Sequence, residues 1–150
     1  NPLELVPAIE PGQKTLFNDA SLGGTLLAKG WSETEPWGTW SKSSDAEVMF
    51  RVLAPVHSLR LEATAFLPPG HERQRVVISI NDMPAITAQL EQADGNLIEI
   101  PLTAEMQERV SSQGVLRLQM QFADAVSPKQ FGLGADVRQL ALGLKTLTVN

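Results

Sequence analysis

Three tryptophans are the residues of this chain best suited to bind a flat ligand. All three lie in one stretch, GWSETEPWGTW, which spans residues 30–40, and the chain has no tyrosine. An indole face can stack on the apolar C–H face of a pyranose, and nearby carboxylates can accept hydrogen bonds from its hydroxyls. The candidate carbohydrate-binding residues are therefore Trp31, Trp37, Trp40, Glu33 and Glu35, with Ser32 and Ser41 as further polar groups.

The same tryptophans could instead form part of the core. Trp31 and Trp40 lie near predicted strand ends, and truncating a buried tryptophan costs about 3–5 kcal/mol. Trp37 lies between Pro36 and Gly38, and we expect it to be the most loop-like and exposed of the three. The sequence leaves both interpretations open.

Other side-chain patterns do not indicate catalysis. His57 and His71 occur in no HxH or HExxH pattern, and the chain has no GxSxG motif and no phosphate-binding glycine loop followed by lysine. Glu33 and Glu35 share one loop, whereas glycoside hydrolysis needs two carboxylates on opposing sides of the sugar. We therefore predict no catalytic residue, no cofactor and no metal ligand. A structural calcium site remains possible, although no Asp-x-Asp-x-Asp loop supports it.

Composition narrows the class of protein. The chain has 150 residues, is 43% hydrophobic and 19% charged, and has a net charge of −5. This length fits one globular domain, and the few scattered basic residues predict no nucleic-acid binding.

Cysteine is absent, which excludes disulfides and thiolate chemistry. No apolar run reaches the ~20 residues of a membrane helix, so we expect no direct membrane insertion by this segment. Because the chain begins at Asn1, we treat it as a piece of a longer protein.

Strict alternation of apolar and polar residues dominates the pattern after residue 14. It is clearest in SLRLEATAFL (58–67), VLRLQMQF (115–122) and AEVMFRV (46–52), and in the final LALGLKTLTV, where a slip in parity predicts a bulge near Lys145. The predicted fold class is all-β: an antiparallel, jelly-roll-like β-sandwich with at most one or two short helices. We predict an extended lead-in over residues 1–14 and a single sandwich domain over 15–150.

Turn and helix signals divide these strands. The stretch INDMPA (80–85) predicts a tight turn, and QADGN (92–96) predicts an Asp-Gly hairpin. Thr103 is the predicted N-cap of a short helix that ends at Gly114, with Gln107 or Glu108 near the capping-box position. The predicted core consists of Phe50, Leu59, Leu61, Ala63, Val77, Ile80, Ile98, Ile100, Leu116, Leu118, Met120, Leu140 and Leu142.

Two motifs carry a resemblance to a known family. The pattern L-x-x-GWS-x-x-E-x-WG-x-WS, with A-x-V-x-F after it, resembles the C-terminal domain of bacterial membrane-bound glycosyltransferases and phosphoglycerol transferases. Its first motif matches Gly30, Trp31, Ser32, Glu35, Trp37, Gly38, Trp40 and Ser41. The later stretch SP-x-x-x-GLG-x-D-x-R-x-LALGL matches at Ser127, Pro128, Gly132, Asp136, Arg138, Leu140 and Gly143. The two motifs bracket most of the chain.

The resemblance implies a periplasmic or extracytoplasmic β-sandwich, similar to carbohydrate-binding modules and attached to a membrane-anchored enzyme that builds or decorates envelope glycans. It does not imply catalysis by the domain itself. If the two motifs meet in space, Arg138 would pair with Glu35 or lie over an indole.

Two functions follow as hypotheses. The first is a non-catalytic accessory domain that binds carbohydrate, an envelope polysaccharide or glucan, through the tryptophan-rich loop. The alternative is a structural or interaction domain that packs on the remainder of its own chain or on a partner protein. The alternative predicts buried tryptophans and no glycan binding.

Overall fold

The fold is described by a computed structural model that covers residues 6–150. Eleven strands, numbered in chain order, form two sheets. The first sheet contains β1 (Ala8–Ile9), β3 (Leu27–Lys29), β5 (Asp45–Val52), β7 (Gln74–Ile80), β8 (Met83–Leu90) and β10 (Leu116–Phe122). The second contains β2 (Lys14–Leu16), β4 (Thr39–Trp40), β6 (Ser58–Ala65), β9 (Asn96–Pro101) and β11 (Leu142–Val149). The predicted all-β sandwich is confirmed.

The order of strands follows a jelly-roll-like alternation. The first sheet has the order β1-β5-β10-β7-β8, with β3 also on β5, and the second has the order β2-β11-β6-β9, with β4 also on β11. The chain changes sheet at every connection between successive strands except the β7–β8 hairpin. Neighbouring strands are antiparallel, apart from β1 and β5, which pair in parallel. That parallel pair incorporates residues 8–9 of the predicted lead-in into the first sheet, while residues 1–5 lie outside the described part of the chain.

The core lies between the sheets and follows the alternation of the sequence. In β6, Leu59, Leu61, Ala63 and Ala65 are buried, and in β10 the same is true of Leu116, Leu118, Met120 and Phe122. The predicted bulge is confirmed, because the register of β11 against β6 shifts between Leu144 and Thr146. This shift keeps both Leu144 and Leu147 in the core.

Two predictions about the strands were wrong. Val77 is half-exposed on the outer face of β7, because the buried set of that strand is Val76, Ile78 and Ile80. The Asp-Gly stretch at 92–96 does not close a hairpin. It connects β8 in one sheet to β9 in the other, and β9 pairs with β6 instead. The true hairpin is the predicted tight turn, where Asn81 and Asp82 take positive φ values of 46° and 69°.

One α-helix, α1 (Ala104–Gln113), closes an end of the sandwich. Thr103 caps it as predicted, with its hydroxyl accepting from the Met106 N–H at 3.2 Å, and Gly114 ends it at φ 78°. The capping box is not formed, because the residue three after the cap is Met106, which has no side-chain acceptor, and the Gln107 amide donates to the carbonyl of Leu102. No helix within residues 6–150 is long and apolar enough to span a membrane.

Candidate functional site

The candidate site lies on the outer face of the second sheet, where β4 joins β11. Trp40 pairs with Gly143 of β11, and Gly143 pairs in turn with Thr64 of β6. Residues directly opposite in antiparallel strands point to the same face. Since Leu142 and Leu144 are buried between the sheets, this row of three faces outwards.

Trp37 lies on this row and covers the glycine. A Cβ atom added to Gly143 would lie 2.7 Å from both Cη2 and Cζ3 of Trp37, and it would also meet the hydroxyl of Thr64. The indole therefore occupies the space that any larger residue at position 143 would need. The approach of the loop is equally close at Gly38, where a Cβ atom would lie 2.6 Å from the carbonyl oxygen of Leu144.

Three aromatic rings meet above the sheet. The ring centroids of Trp37 and Trp40 are 5.1 Å apart at an interplanar angle of 66°, and those of Trp40 and Phe66 are 6.1 Å apart at 82°. Such edge-to-face pairs fix ring orientation and add roughly 0.5–1.5 kcal/mol each. The rings line an open groove of ≈ 400 Å³, which we call the aromatic groove. Its lining residues are Trp37, Trp40, Thr64, Ala65, Phe66, Leu67, Pro68 and Ala93.

The lining of the aromatic groove is uncharged, but it contains hydrogen-bond donors. None of its lining residues carries a formal charge. The indole N–H groups of Trp37 and Trp40 donate to no acceptor within residues 6–150, and neither nitrogen is a buried, unsatisfied atom. These donors are therefore available to a ligand, together with the hydroxyl of Thr64. Its bond to the Gly143 carbonyl is long, at 3.5 Å.

Trp31 has a different environment from the other two tryptophans. It is 8% exposed, belongs to the core, and donates its indole N–H to the carbonyl of Glu47 at 2.9 Å. It also forms an isolated β-bridge with Ser41. The structure thus brings together Trp37 and Trp40 but places Trp31 away from the aromatic groove.

The two candidate carboxylates do not line the aromatic groove. Glu33 is exposed on the loop. Glu35 acts through its backbone, since its N–H donates to Gly38 at 2.8 Å and its carbonyl accepts from Asp19 at 3.1 Å. These bonds close the turn that presents Trp37.

The two sequence motifs do meet in space, though not through the predicted ion pair. Arg138 forms a bidentate pair with Asp136, at 2.6 Å for Nη2 to Oδ2, and donates from Nη1 to the hydroxyl of Ser32 at 2.9 Å. These bonds from Arg138 hold the pKa of Asp136 below its ordinary value. No ion pair joins Glu35 to Arg138, so the predicted buried pair was wrong. Asp136 is two residues away and satisfies the guanidinium locally.

A buried serine directly after β4 joins the two motifs. The Ser41 hydroxyl accepts from the backbone N–H groups of Ala141 at 3.2 Å and Leu142 at 3.0 Å, and Ser41 has no exposed surface. Gly30 allows the loop to enter here, because its φ is +82° and a side chain would collide with the Asp45 carbonyl. Residues of the first motif therefore hold the loop against β11.

The two histidines lie outside the lining of the aromatic groove. His71 contacts the carbonyl of Asp124 at 2.8 Å and packs edge-to-face on Phe131, and His57 is exposed. Within residues 6–150, no cluster of three or more histidine, aspartate or glutamate side chains could hold a metal ion. The calcium site that the sequence left open therefore gains no support from a cluster of carboxylates in the part of the chain that the structure describes.

Several residues of the aromatic groove were missed by sequence reasoning: Thr64, Ala65, Phe66, Leu67, Pro68 and Ala93. Phe66 carried a usable signal, because it continues the outward parity of Thr64 just beyond the end of β6. Ala93 carried no such sequence signal. It lies in the connection from β8 to β9, which crosses between the sheets, and this crossing could not be predicted from the sequence.

Comparison with known proteins gives similarity at the level of fold. No protein-family model and no curated protein matches the chain. An acetyl xylan esterase, Est2A, from the rumen bacterium Butyrivibrio proteoclasticus matches with a TM-score of 0.52 and 13% identity, over 92% of this chain and 32% of that chain. The mosquito-larvicidal Cry4Aa toxin of Bacillus thuringiensis matches with a TM-score of 0.52 and 10% identity, over 97% and 25%.

A free-standing module also matches. A carbohydrate-binding module, CBM36, in complex with calcium and xylotriose has a TM-score of 0.46 and 9% identity, over 92% of this chain and 99% of that chain. This chain thus spans nearly all of that module but about a third of the esterase and a quarter of the toxin. At these identities the matches show the fold alone, and that fold is a β-sandwich.

Proposed function

We propose that this domain binds carbohydrate without catalysis, through the aromatic groove, as an accessory domain of a membrane-bound transferase that modifies envelope glycans. The single observation that carries the proposal is the placement of Trp37, Trp40 and Phe66 around an open groove on the outer face of the second sheet. Trp31, which supports the loop from the core, is not part of the binding surface.

The chemistry of the aromatic groove fits a sugar ring better than a purely apolar ligand. The aromatic faces supply the stacking surface for the C–H face of a pyranose. The indole N–H groups of Trp37 and Trp40, with the Thr64 hydroxyl, supply donors at its rim. A ligand with an apolar face and a hydroxylated edge would use both.

The absence of charge in the lining defines the ligand further. Binding in a groove lined by uncharged residues gains little from Coulombic attraction, so affinity should change little between low and high salt. We therefore propose a neutral glycan, such as an envelope polysaccharide or a glucan, rather than an acidic one. Glu33 and Glu35 then serve the loop and not the ligand.

The cellular context of the proposal rests on the resemblance of the two motifs. The motifs bracket most of the chain and meet at Arg138, Ser32 and Ser41, which is what a shared structural role of both would require. On that basis we propose a periplasmic or extracytoplasmic location, with the domain attached to a membrane-anchored parent.

One observation favours the alternative, an interaction domain that packs on its parent or a partner. A cavity of ≈ 470 Å³ lies between the β5–β6 loop and α1, and Leu53 at its edge is 58% exposed. An apolar cavity next to an exposed leucine is a feature of protein contact surfaces. If this is the functional surface, glycans will not bind and Trp37 will be dispensable.

The test is isothermal titration calorimetry of the domain with neutral gluco-oligosaccharides of increasing length. We expect measurable binding that Trp37→Ala or Phe66→Ala abolishes, with little change on adding salt. Leu133→Ala, which truncates an exposed leucine outside the aromatic groove, is the matched control and should bind normally. Equal binding by Trp37→Ala and the unmodified domain would exclude the aromatic groove as the site.

A further inference from the structure

We propose that Gln74 is a positioning residue for the aromatic groove, since its buried amide holds the backbone of Phe66 and thereby the ring that forms one wall. Gln74 itself is not among the residues that line the aromatic groove, so it would act on a ligand only through Phe66. The effect on glycan affinity rests on the function proposed above, whereas the effect on Phe66 does not.

Gln74 occupies a core position of β7 at which the alternation predicts an apolar residue. The inward-facing residues of this strand are Gln74, Val76, Ile78 and Ile80, and all four are fully buried. Burying a polar side chain costs free energy unless its groups are hydrogen-bonded. A polar residue at such a position indicates a role that an apolar side chain of similar size would not fill.

The amide of Gln74 forms one hydrogen bond within residues 6–150. Its Nε2 donates to the backbone carbonyl of Phe66 at 2.8 Å. Its Oε1 is buried and accepts from no group in the same residues. The direct contribution of this amide to the fold is therefore concentrated in its contact with Phe66.

Phe66 depends on such contacts because it lies just after the end of β6, outside the regular sheet. Its N–H donates to the carbonyl of Ala141 at 2.9 Å, and its carbonyl accepts from Gln74. Both backbone groups of Phe66 are thus held, one by the segment that leads into β11 and one by β7. The backbone conformation restricts the rotamers of a side chain, so these two bonds restrict where the ring points.

The ring of Phe66 has little other confinement. It is half-buried, and its aromatic contact is with Trp40, at a centroid distance of 6.1 Å and an angle of 82°. The bond from Gln74 also joins the two ends of the connection between β6 and β7, which supplies Phe66, Leu67 and Pro68 to the aromatic groove. A wall that is ordered before binding spares the ligand the entropic cost of ordering it.

The support for Phe66 is tested without a ligand, by hydrogen exchange and by magnetic resonance spectra of the labelled domain. We expect the side-chain amide protons of Gln74 to exchange with solvent far more slowly than those of Gln121, which is exposed. Gln74→Met keeps a side chain of similar length but removes the donor. It should shift the indole N–H resonance of Trp40, which contacts Phe66, and leave that of Trp31 in place. Exchange of the Gln74 amide as fast as that of Gln121 would overturn the proposal, and so would a Trp40 resonance that Gln74→Met leaves unchanged.

The effect on affinity is tested by calorimetric titration with cellohexaose and laminarihexaose, two neutral gluco-oligosaccharides. Gln74→Met should weaken binding roughly two- to tenfold, because the ligand must then order the ring. Gln107→Met is the matched control, since it removes a glutamine amide that donates to a backbone carbonyl at α1, and it should bind normally. Unchanged affinity in Gln74→Met would contradict the positioning role while leaving the aromatic groove as the glycan site.

A double-mutant cycle separates positioning from a general loss of structure. In Phe66→Leu, which has no aromatic ring to position, adding Gln74→Met should cost little further affinity. Equal losses in the two backgrounds would overturn the proposal, because Gln74 would then act through another residue. Gln74→Asn, whose shorter side chain cannot reach the Phe66 carbonyl, replaces Gln74→Met if that variant does not fold. If the unmodified domain binds neither oligosaccharide, the proposed function fails together with the affinity effect, and the ligand-free spectra decide whether Gln74 positions Phe66.

Discussion

The indole of Trp37 lies against the backbone of Gly143, so close that a Cβ atom at position 143 would be 2.7 Å from two of its ring carbons. This contact joins the tryptophan-rich loop to β11, and it places the second sequence motif directly beneath the first. The position and tilt of this half-buried indole therefore depend on the absence of a side chain at residue 143.

Gly143→Ala should displace Trp37 without removing any aromatic ring. Overpacking of this kind typically costs about 1–3 kcal/mol, and we expect a loss of stability in that range. Exposure of the ring should shift tryptophan emission to longer wavelength, and glycan affinity should fall. Thermal unfolding and fluorescence of the variant measure both effects. Gly24→Ala, where the backbone is not left-handed and an added Cβ atom would meet only Cγ2 of Thr34 at 3.2 Å, is the control for adding a methyl group. A Gly143→Ala protein with unchanged emission would show that Trp37 is not seated on the strand.

Trp31→Phe should destabilise the domain yet leave glycan binding nearly intact. The change keeps an aromatic ring in the core but removes the hydrogen bond to the Glu47 carbonyl, which leaves a buried acceptor without its donor. The expected cost is about 1–3 kcal/mol, measured by denaturant unfolding at constant temperature. Trp40→Phe, whose indole N–H has no acceptor in the described chain, should cost less. If Trp31→Phe abolished binding while remaining folded, Trp31 would belong to the ligand site.

Ser41→Ala should cost more stability than its small size indicates. The hydroxyl accepts from two buried backbone N–H groups, those of Ala141 and Leu142, and alanine leaves both without this acceptor. We expect a loss of about 2 kcal/mol in the free energy of unfolding. Ser112→Ala, which removes a hydroxyl from the exposed face of α1, should change stability by less than about 0.5 kcal/mol. Similar values for the two variants would contradict the role assigned to Ser41.

Asp124 should make stability depend on pH in the acid range. Hydrogen bonds from the Arg75 side chain lower its pKa from 3.8 to about 2 in the folded protein. Because the folded pKa is depressed, the stabilisation is present above 3.8 and is lost as the pH falls towards 2. Arg75 is 44% exposed, so solvent screening reduces the expected contribution to about 1 kcal/mol.

The measurement is the free energy of unfolding of Asp124→Asn and of the unmodified domain as a function of pH. The two curves should differ near neutral pH and converge once Asp124 is protonated. Asp19→Asn, which changes an exposed aspartate without an ion pair in the described residues, should follow the unmodified curve. A constant difference at every pH would assign the effect to packing and not to charge.

Most of the fold was readable from the sequence because a half-buried strand has a simple period. Alternation identified β6 and β10 correctly, and the slip in parity near Lys145 identified the bulge of β11. Strand pairing could not be predicted where the sequence indicated only a turn. An Asp-Gly turn reverses the chain equally well within a sheet or between sheets, so the pairing of β9 could not be read from it.

The candidate site was readable only in part. Trp37 and Trp40 stood out by type and clustering, but Phe66 joins them from a distant strand through tertiary packing. The prediction that Arg138 pairs with Glu35 was wrong for a local reason. Asp136 is only two residues from Arg138 and forms a bidentate pair with its guanidinium, so Arg138 does not need a carboxylate that is distant in sequence.

Glycan binding by the aromatic groove is tested most directly by recording the three indole N–H resonances of the domain while a neutral gluco-oligosaccharide is added. The structure assigns one to the core, Trp31, and two to the aromatic groove, Trp37 and Trp40. We expect the Trp31 proton to exchange slowly with solvent and not to shift, whereas the Trp37 and Trp40 protons should exchange quickly and shift together until saturation. If Trp37 and Trp40 stay unchanged while other amides of the domain report binding, the aromatic groove is not the glycan site.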